Sequence, residues 1–200
     1  LRVKRNSQYF IRNYQRFCVR NQIEAKKITP FKHIMSFANM VVDKLAVWNK
    51  RINEKDFHPG DIQALHHIHE LNKGALFISS HYGNIEITRA HGRLSSGIKY
   101  NSLVYTKNSK KIFSILKEFS PDVENNIIPV ENFGPELGAL ISEKAENGEW
   151  IFCMGDRLSA QSEKSISEKL LNKPIKLPQG PFLMGYLLDV PVYSFHCYRS

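Results

Sequence analysis

The chain has 200 residues, 42% apolar, 11% aromatic and 24% charged. That suffices for one domain with a sizeable core and excludes a disordered, collagen-like or disulfide-stapled chain. The net charge of +9 is lopsided: residues 1–50 hold 11 Lys/Arg against Glu24 and Asp43, whereas residues 51–200 hold 17 of each sign. A basic first quarter beside a neutral remainder suits anionic lipid or nucleic acid as a partner.

Cys18, Cys153 and Cys197 are odd in number and far apart. They fit neither a zinc knuckle nor a closed disulfide framework, and point to a reducing compartment. No run of 18 apolar residues is present, so no spanning helix is expected here. The chain opens on Leu1 rather than Met and stops within an apparent strand, which reads as an excerpt of a longer protein.

Along the chain, residues 8–20 predict a basic amphipathic helix, with Phe10, Tyr14 and Phe17 forming an aromatic stripe beside Arg12, Arg16 and Arg20. A second helix starts at Pro30, with Phe31, Ile34, Met35, Ala38, Val41, Val42, Leu45 and Trp48 at the 3.6-residue period. This stripe is broad enough to be core, which leaves the first helix as the better membrane candidate. A third helix, Ile62–Leu71, has Asp61 as its expected cap and Gly74 beyond its end.

After residue 74 short apolar runs alternate with helical patterns. Strands are expected at Ala75–Ser79, Ser102–Tyr105, Ile127–Val130, Trp150–Met154 and Val192–His196. Helices are expected at Ile85–Leu94, Ile112–Phe119, Leu137–Glu146 and Phe182–Leu188. The expectation is one α/β domain over residues 1–200, with a helical, basic part at 1–72 and a mostly parallel sheet flanked by helices at 73–200.

Open parallel sheets build their sites at the carboxyl ends of strands. Residues 75–86 read Ala-Leu-Phe-Ile-Ser-Ser-His-Tyr-Gly-Asn-Ile-Glu. On one continuous helix His81 and Glu86 would point about 140° apart. The spacing therefore works if His81 sits in the turn after the strand and Glu86 on the first helical turn, with Gly83 in the bend and Asn84 as cap. A carboxylate there would hold one imidazole nitrogen and leave the other free to take a proton from a hydroxyl. By itself, a His near a Glu is more often a surface pair. A second strand end, Trp150–Arg157, offers Gly155 for a tight turn and then Asp156 and Arg157. These would approach the first site if the two strands are close, Arg157 holding a phosphate or only a surface carboxylate.

Together these residues resemble the lysophospholipid acyltransferase superfamily, and within it the lipid A biosynthesis (late) acyltransferase branch. The resemblance rests on His-x4-Glu (His81, Glu86) after an apolar strand, then Met154-Gly155-Asp156-Arg157, then Asp189-Val190-Pro191-Val192 after Pro178–Phe182. It extends upstream through the Phe31–Trp48 helix and so covers nearly the whole chain. It implies a membrane-associated enzyme on the cytoplasmic face of the inner membrane. That enzyme would move an acyl group from an acyl carrier protein or acyl-coenzyme A thioester to a hydroxyl or amine of a lipid acceptor, with no cofactor or metal. His81 and Glu86 would be catalytic, and Asp156, Arg157, Asn84 and Gly83 substrate-binding. The resemblance also turns Pro178–Leu188 from a core segment into a wall of the acyl pocket. One departure stands out: where many members carry an arginine, residues 128–133 have none. Either Arg157 takes that duty or the acceptor lacks the usual phosphate.

Other patterns carry less. His66, His67 and His69 do not share one helical face, and no Cys or paired acid completes a metal ligand set. Cys153 reads as a core strand residue, and Ser79 and Ser80 lack a nucleophile elbow. No phosphate-binding glycine loop and no nucleic-acid-binding signature is present. Two other readings are a basic membrane- or nucleic-acid-binding module and a hydrolase that uses the same His–Glu pair on water.

Overall fold

A computed structural model describes residues 2–84, 87, 99–105, 127–130, 134–158, 164–170 and 173–198. Helix α1 (Arg2–Arg20) and helix α2 (Pro30–Trp48) pack on each other, and α3 (Pro59–Glu70) follows a short 3-10 turn. Pro30 opens α2, and the Thr29 hydroxyl accepts the Lys32 N–H at 3.2 Å, satisfying one of the donors a helix start leaves free. At α3 the expected cap is displaced. His58 caps it, its Nδ1 accepting the Gly60 N–H at 3.2 Å, because Pro59 starts the helix three residues early and puts Asp61 in its first turn.

Strands β1 (Ala75–Gly83), β2 (Tyr100–Val104), β3 (Ile127–Pro129) and β4 (Trp150–Met154) join the last strand of the chain, Val192–Cys197, in a five-stranded sheet whose described pairings are all parallel. An antiparallel hairpin, β5 (Ser165–Leu170) with β6 (Lys173–Pro178), precedes that last strand, which is therefore β7. Helices α4 (Pro135–Glu146) and α5 (Gly180–Leu187) complete the described elements. The spatial order is β3-β2-β4-β1-β7, so β1 lies between β4 and β7. The expected α/β class with a parallel, helix-flanked sheet is present. The helices expected at Ile85–Leu94 and Ile112–Phe119 fall largely or wholly outside the described residues.

The hairpin has no counterpart in the expectations from sequence. Its strands lack a sustained apolar alternation, and Pro174 and Pro178 argue against a strand by the usual reading. An isolated two-stranded ribbon needs neither signal, because prolines are tolerated where no second neighbour demands an N–H.

Alternation along β1 separates two cores. On one face Phe77 stacks on Phe152 at 4.5 Å, with Trp150 at 4.9 Å and Tyr193 at 5.4 Å, and Leu65 and Ile68 of α3 pack over them. On the other face Leu76, Leu103, Ile128, Ile151 and Cys153 bury against Ile141 of α4 and Met184 of α5. Both layers end at the carboxyl edge of the sheet, where β1 and β4 run side by side in register from Ala75↔Trp150 to Ser79↔Met154.

Candidate active site

The strand β1 runs further than its apolar run suggests. His81 lies within it, because β7 continues alongside and pairs Gly83 with Cys197 after an irregularity beyond Ser79. The turn expected at His81 begins three residues later. Gly83 has φ +84, and a Cβ there would overlap the Cys197 carbonyl oxygen, so only glycine lets the two strands stay this close. The Asn84 N–H donates to the same carbonyl at 2.7 Å, and its side-chain amide donates to the Met40 carbonyl of α2 at 3.2 Å. Asn84 is buried, and its Oδ1 has no hydrogen-bond partner among the described residues. Gly83 and Asn84 thus anchor the end of β1 to β7 and α2.

At the neighbouring strand end Gly155 donates its N–H to the Ser79 carbonyl at 2.8 Å. A Cβ on Gly155 would lie 2.8 Å from the Ile78 methyl Cγ2. Its absence lets the chain leave β4 against β1, and this brings Asp156 to His81. The carboxylate holds the histidine twice: Oδ2 accepts the His81 backbone N–H at 2.8 Å, and Oδ1 lies 2.8 Å from the imidazole Nδ1. The two side chains are 41% and 30% exposed, so the pair is open to an incoming molecule.

Partial burial raises the Asp156 carboxyl. The hydrogen bonds from the His81 backbone and side chain, with the attraction to the ring, outweigh that and hold it below the usual carboxylate value. An ionised carboxylate only accepts, so Nδ1 carries a proton, and in the neutral ring Nε2 is the nitrogen with the lone pair. This is the base-plus-orienter arrangement, with Asp156 at the ring nitrogen where Glu86 was expected. Glu86 lies outside the described residues. Asp156, expected to bind substrate, has both carboxylate oxygens engaged by His81.

Arg157 follows on the exposed side and makes no ion pair with another described residue. On the opposite side of β1, Ser80 Oγ lies 3.3 Å from His196 Nδ1, and the Tyr82 ring meets His196 and Tyr198 with centroids 6.3 and 6.0 Å apart. Sequence reasoning missed His196. The signal available was its position near the carboxyl end of a strand, the same signal that singled out His81. Burial pushes the Cys153 thiol up to about 12, which keeps it protonated and unreactive in the core. Among the described residues no three His, Cys, Asp or Glu side chains gather as a metal site.

The fold and the site therefore define an α/β protein with a parallel sheet and a His–Asp pair at its carboxyl edge. The chain matches no known family model and no curated protein sequence.

Proposed function

We propose that the protein is an acyltransferase of the lysophospholipid-acyltransferase type, which moves a fatty-acyl group from an acyl carrier protein or acyl-coenzyme A thioester to a hydroxyl or amine of a lipid or glycolipid. One observation carries the reading: Asp156 fixes His81 by two contacts at the carboxyl edge of a parallel sheet, and among the described residues Nε2 has no partner.

In this reading Nε2 takes the proton of the acceptor hydroxyl. The oxygen bonds to the thioester carbonyl carbon, the C–S bond breaks, and the departing thiolate recovers the proton from the imidazolium. Asp156 steadies the positive charge on the ring during the step. It takes the orienting contact that the His-x4-Glu pattern assigned to Glu86. Arg157, exposed one residue beyond the dyad, is the group for a phosphate of donor or acceptor. No metal or organic cofactor enters the reading. The resemblance implies the cytoplasmic face of the inner membrane as the enzyme's place, and the basic residues 1–50 favour an anionic surface over a neutral one.

The test is incubation of the protein with acyl-carrier-protein or acyl-coenzyme A thioesters and a membrane lipid extract, followed by mass spectrometry. A lipid that gains one acyl mass, in a reaction lost with His81→Ala, supports the reading. Free fatty acid formed at the same rate with and without acceptor identifies a hydrolase instead.

A further inference from the structure

We propose that the outward face of α2 is a membrane-docking surface that lies in the headgroup region of an anionic bilayer. The proposal rests on the lipid-acceptor reading and names the element that meets the lipid.

The observation is that α2 is turned inside out. Of its apolar stripe at the helical period, Phe31, Met35, Ala38, Val41, Val42 and Leu45 are exposed, Phe31 at 72% and Val42 at 61%, and Ile34 is half-buried. The opposite side carries His33, Met40, Asp43, Lys44 and Val47, and it is this side that is half-buried or buried. An amphipathic helix docked by water alone would be rotated the other way.

Helix α1 does not cover the stripe. Its own buried residues are Ser7, Ile11 and Cys18. It meets α2 beside His33, where Phe10 stacks on the imidazole at 4.2 Å and Ser7 Oγ lies 2.9 Å from Nδ1. The aromatic stripe of α1 is thus spent partly on α2, and the broad stripe of α2 is the one left over.

Charge selects the occupant. Between residues 25 and 51 the chain carries Lys26, Lys27, Lys32, Lys50 and Arg51 off the inward side, whereas Lys44 and Asp43 are both on it. Basic pairs thus flank both ends of an apolar helix face. A second copy on this face would bring two segments of +9 together, whereas an anionic bilayer offers apolar depth and negative charge at once. No helix among the described residues is long and apolar enough to cross a membrane, so α2 lies in the surface plane. The Met40 carbonyl of α2 holds the Asn84 side chain, three residues past His81, so docking would fix the catalytic end of β1 relative to the lipid.

The experiment is flotation of the protein with phosphatidylcholine vesicles, with and without phosphatidylglycerol. Binding to the anionic vesicles is expected, and the exposed-face double variant Met35→Glu/Val42→Glu should weaken it at least about tenfold. Its melting temperature and helical signal should stay unchanged, because neither position is buried. Arg12→Gln/Arg16→Gln/Arg20→Gln should lose less. Flotation of the double variant equal to wild type overturns the proposal. So does a wild-type dimer in sedimentation that the double variant converts to monomer, since the face would then serve a second copy. If flotation follows the expected pattern but no lipid gains an acyl mass, the docking surface stands and the acyl-transfer reading falls.

Discussion

Asp156 and His81 are joined by two hydrogen bonds of 2.8 Å each, one to the backbone N–H and one to the ring. The backbone bond fixes which carboxylate oxygen faces the ring. The ring bond in turn fixes which nitrogen keeps its lone pair. Neither contact alone would orient a base, because a single bond leaves the imidazole free to turn about it.

This double contact predicts an inversion of the usual ranking of substitutions. His81→Ala should lower the proposed acyl transfer by the general-base contribution, on the order of 10²–10⁴-fold. In Asp156→Asn only the amide oxygen can accept the His81 backbone N–H. The NH₂ group then faces Nδ1, which must become the acceptor, and the proton moves to Nε2. Asp156→Asn should therefore be nearly as damaging as His81→Ala, and Asp156→Ala, which imposes no wrong tautomer, should be milder. Steady-state kinetics on the three purified variants decides this; equal activity of Asp156→Asn and wild type would remove Asp156 from the mechanism.

The same pair bears on stability against pH. Its folded carboxyl titrates below its unfolded one, so on acidification the unfolded chain takes up the proton first. The stabilisation is complete above the ordinary aspartate value of about 3.9 and is lost as pH falls through that value toward the lower folded one. Thermal melts of wild type and Asp156→Asn across this range should converge at low pH and separate above it.

A second carboxylate provides a control far from the chemistry. Glu149, just before β4, accepts from the Asn101 side chain at 2.7 Å and from Lys144 at 3.1 Å. Burial raises its carboxyl, and these bonds with the charges of Lys144 and Lys99 bring it below the usual value. Asn101 is buried, so Glu149→Leu leaves its amide without this acceptor and should cost about 1–3 kcal/mol. The loss belongs in chemical denaturation, with the kinetics of the folded fraction unchanged.

Gly83→Ala tests the strand end itself. It combines a left-handed backbone with a Cβ that overlaps the Cys197 carbonyl. A loss of about 1–3 kcal/mol is expected from the conformation alone, and more from the overlap. Because β1 carries His81 two residues earlier, turnover of the folded protein should fall as well. A fully active, fully stable Gly83→Ala would show that the β1–β7 contact does not position the base.

Local periodicity determined much of this protein. Strand β4 is bounded as expected, β1, β2, β3 and β7 to within a few residues, and helices α2, α4 and α5 appear where apolar residues repeat every three to four positions. The reason is that period and propensity are properties of adjacent residues. His81 and Asp156 were likewise legible as residues at strand ends. Their partnership was not, because it depends on β1 and β4 being neighbours 75 positions apart in the chain, and on Gly155 letting one strand end close on the other. The orientation of α2 belongs to the same class. Its pattern says which face is apolar, but only the docking of α1 at His33 and the hold of Asn84 on Met40 decide that this face looks outward. A helix can be rotated about its axis without changing a single local hydrogen bond, so contacts distant in sequence choose the rotation.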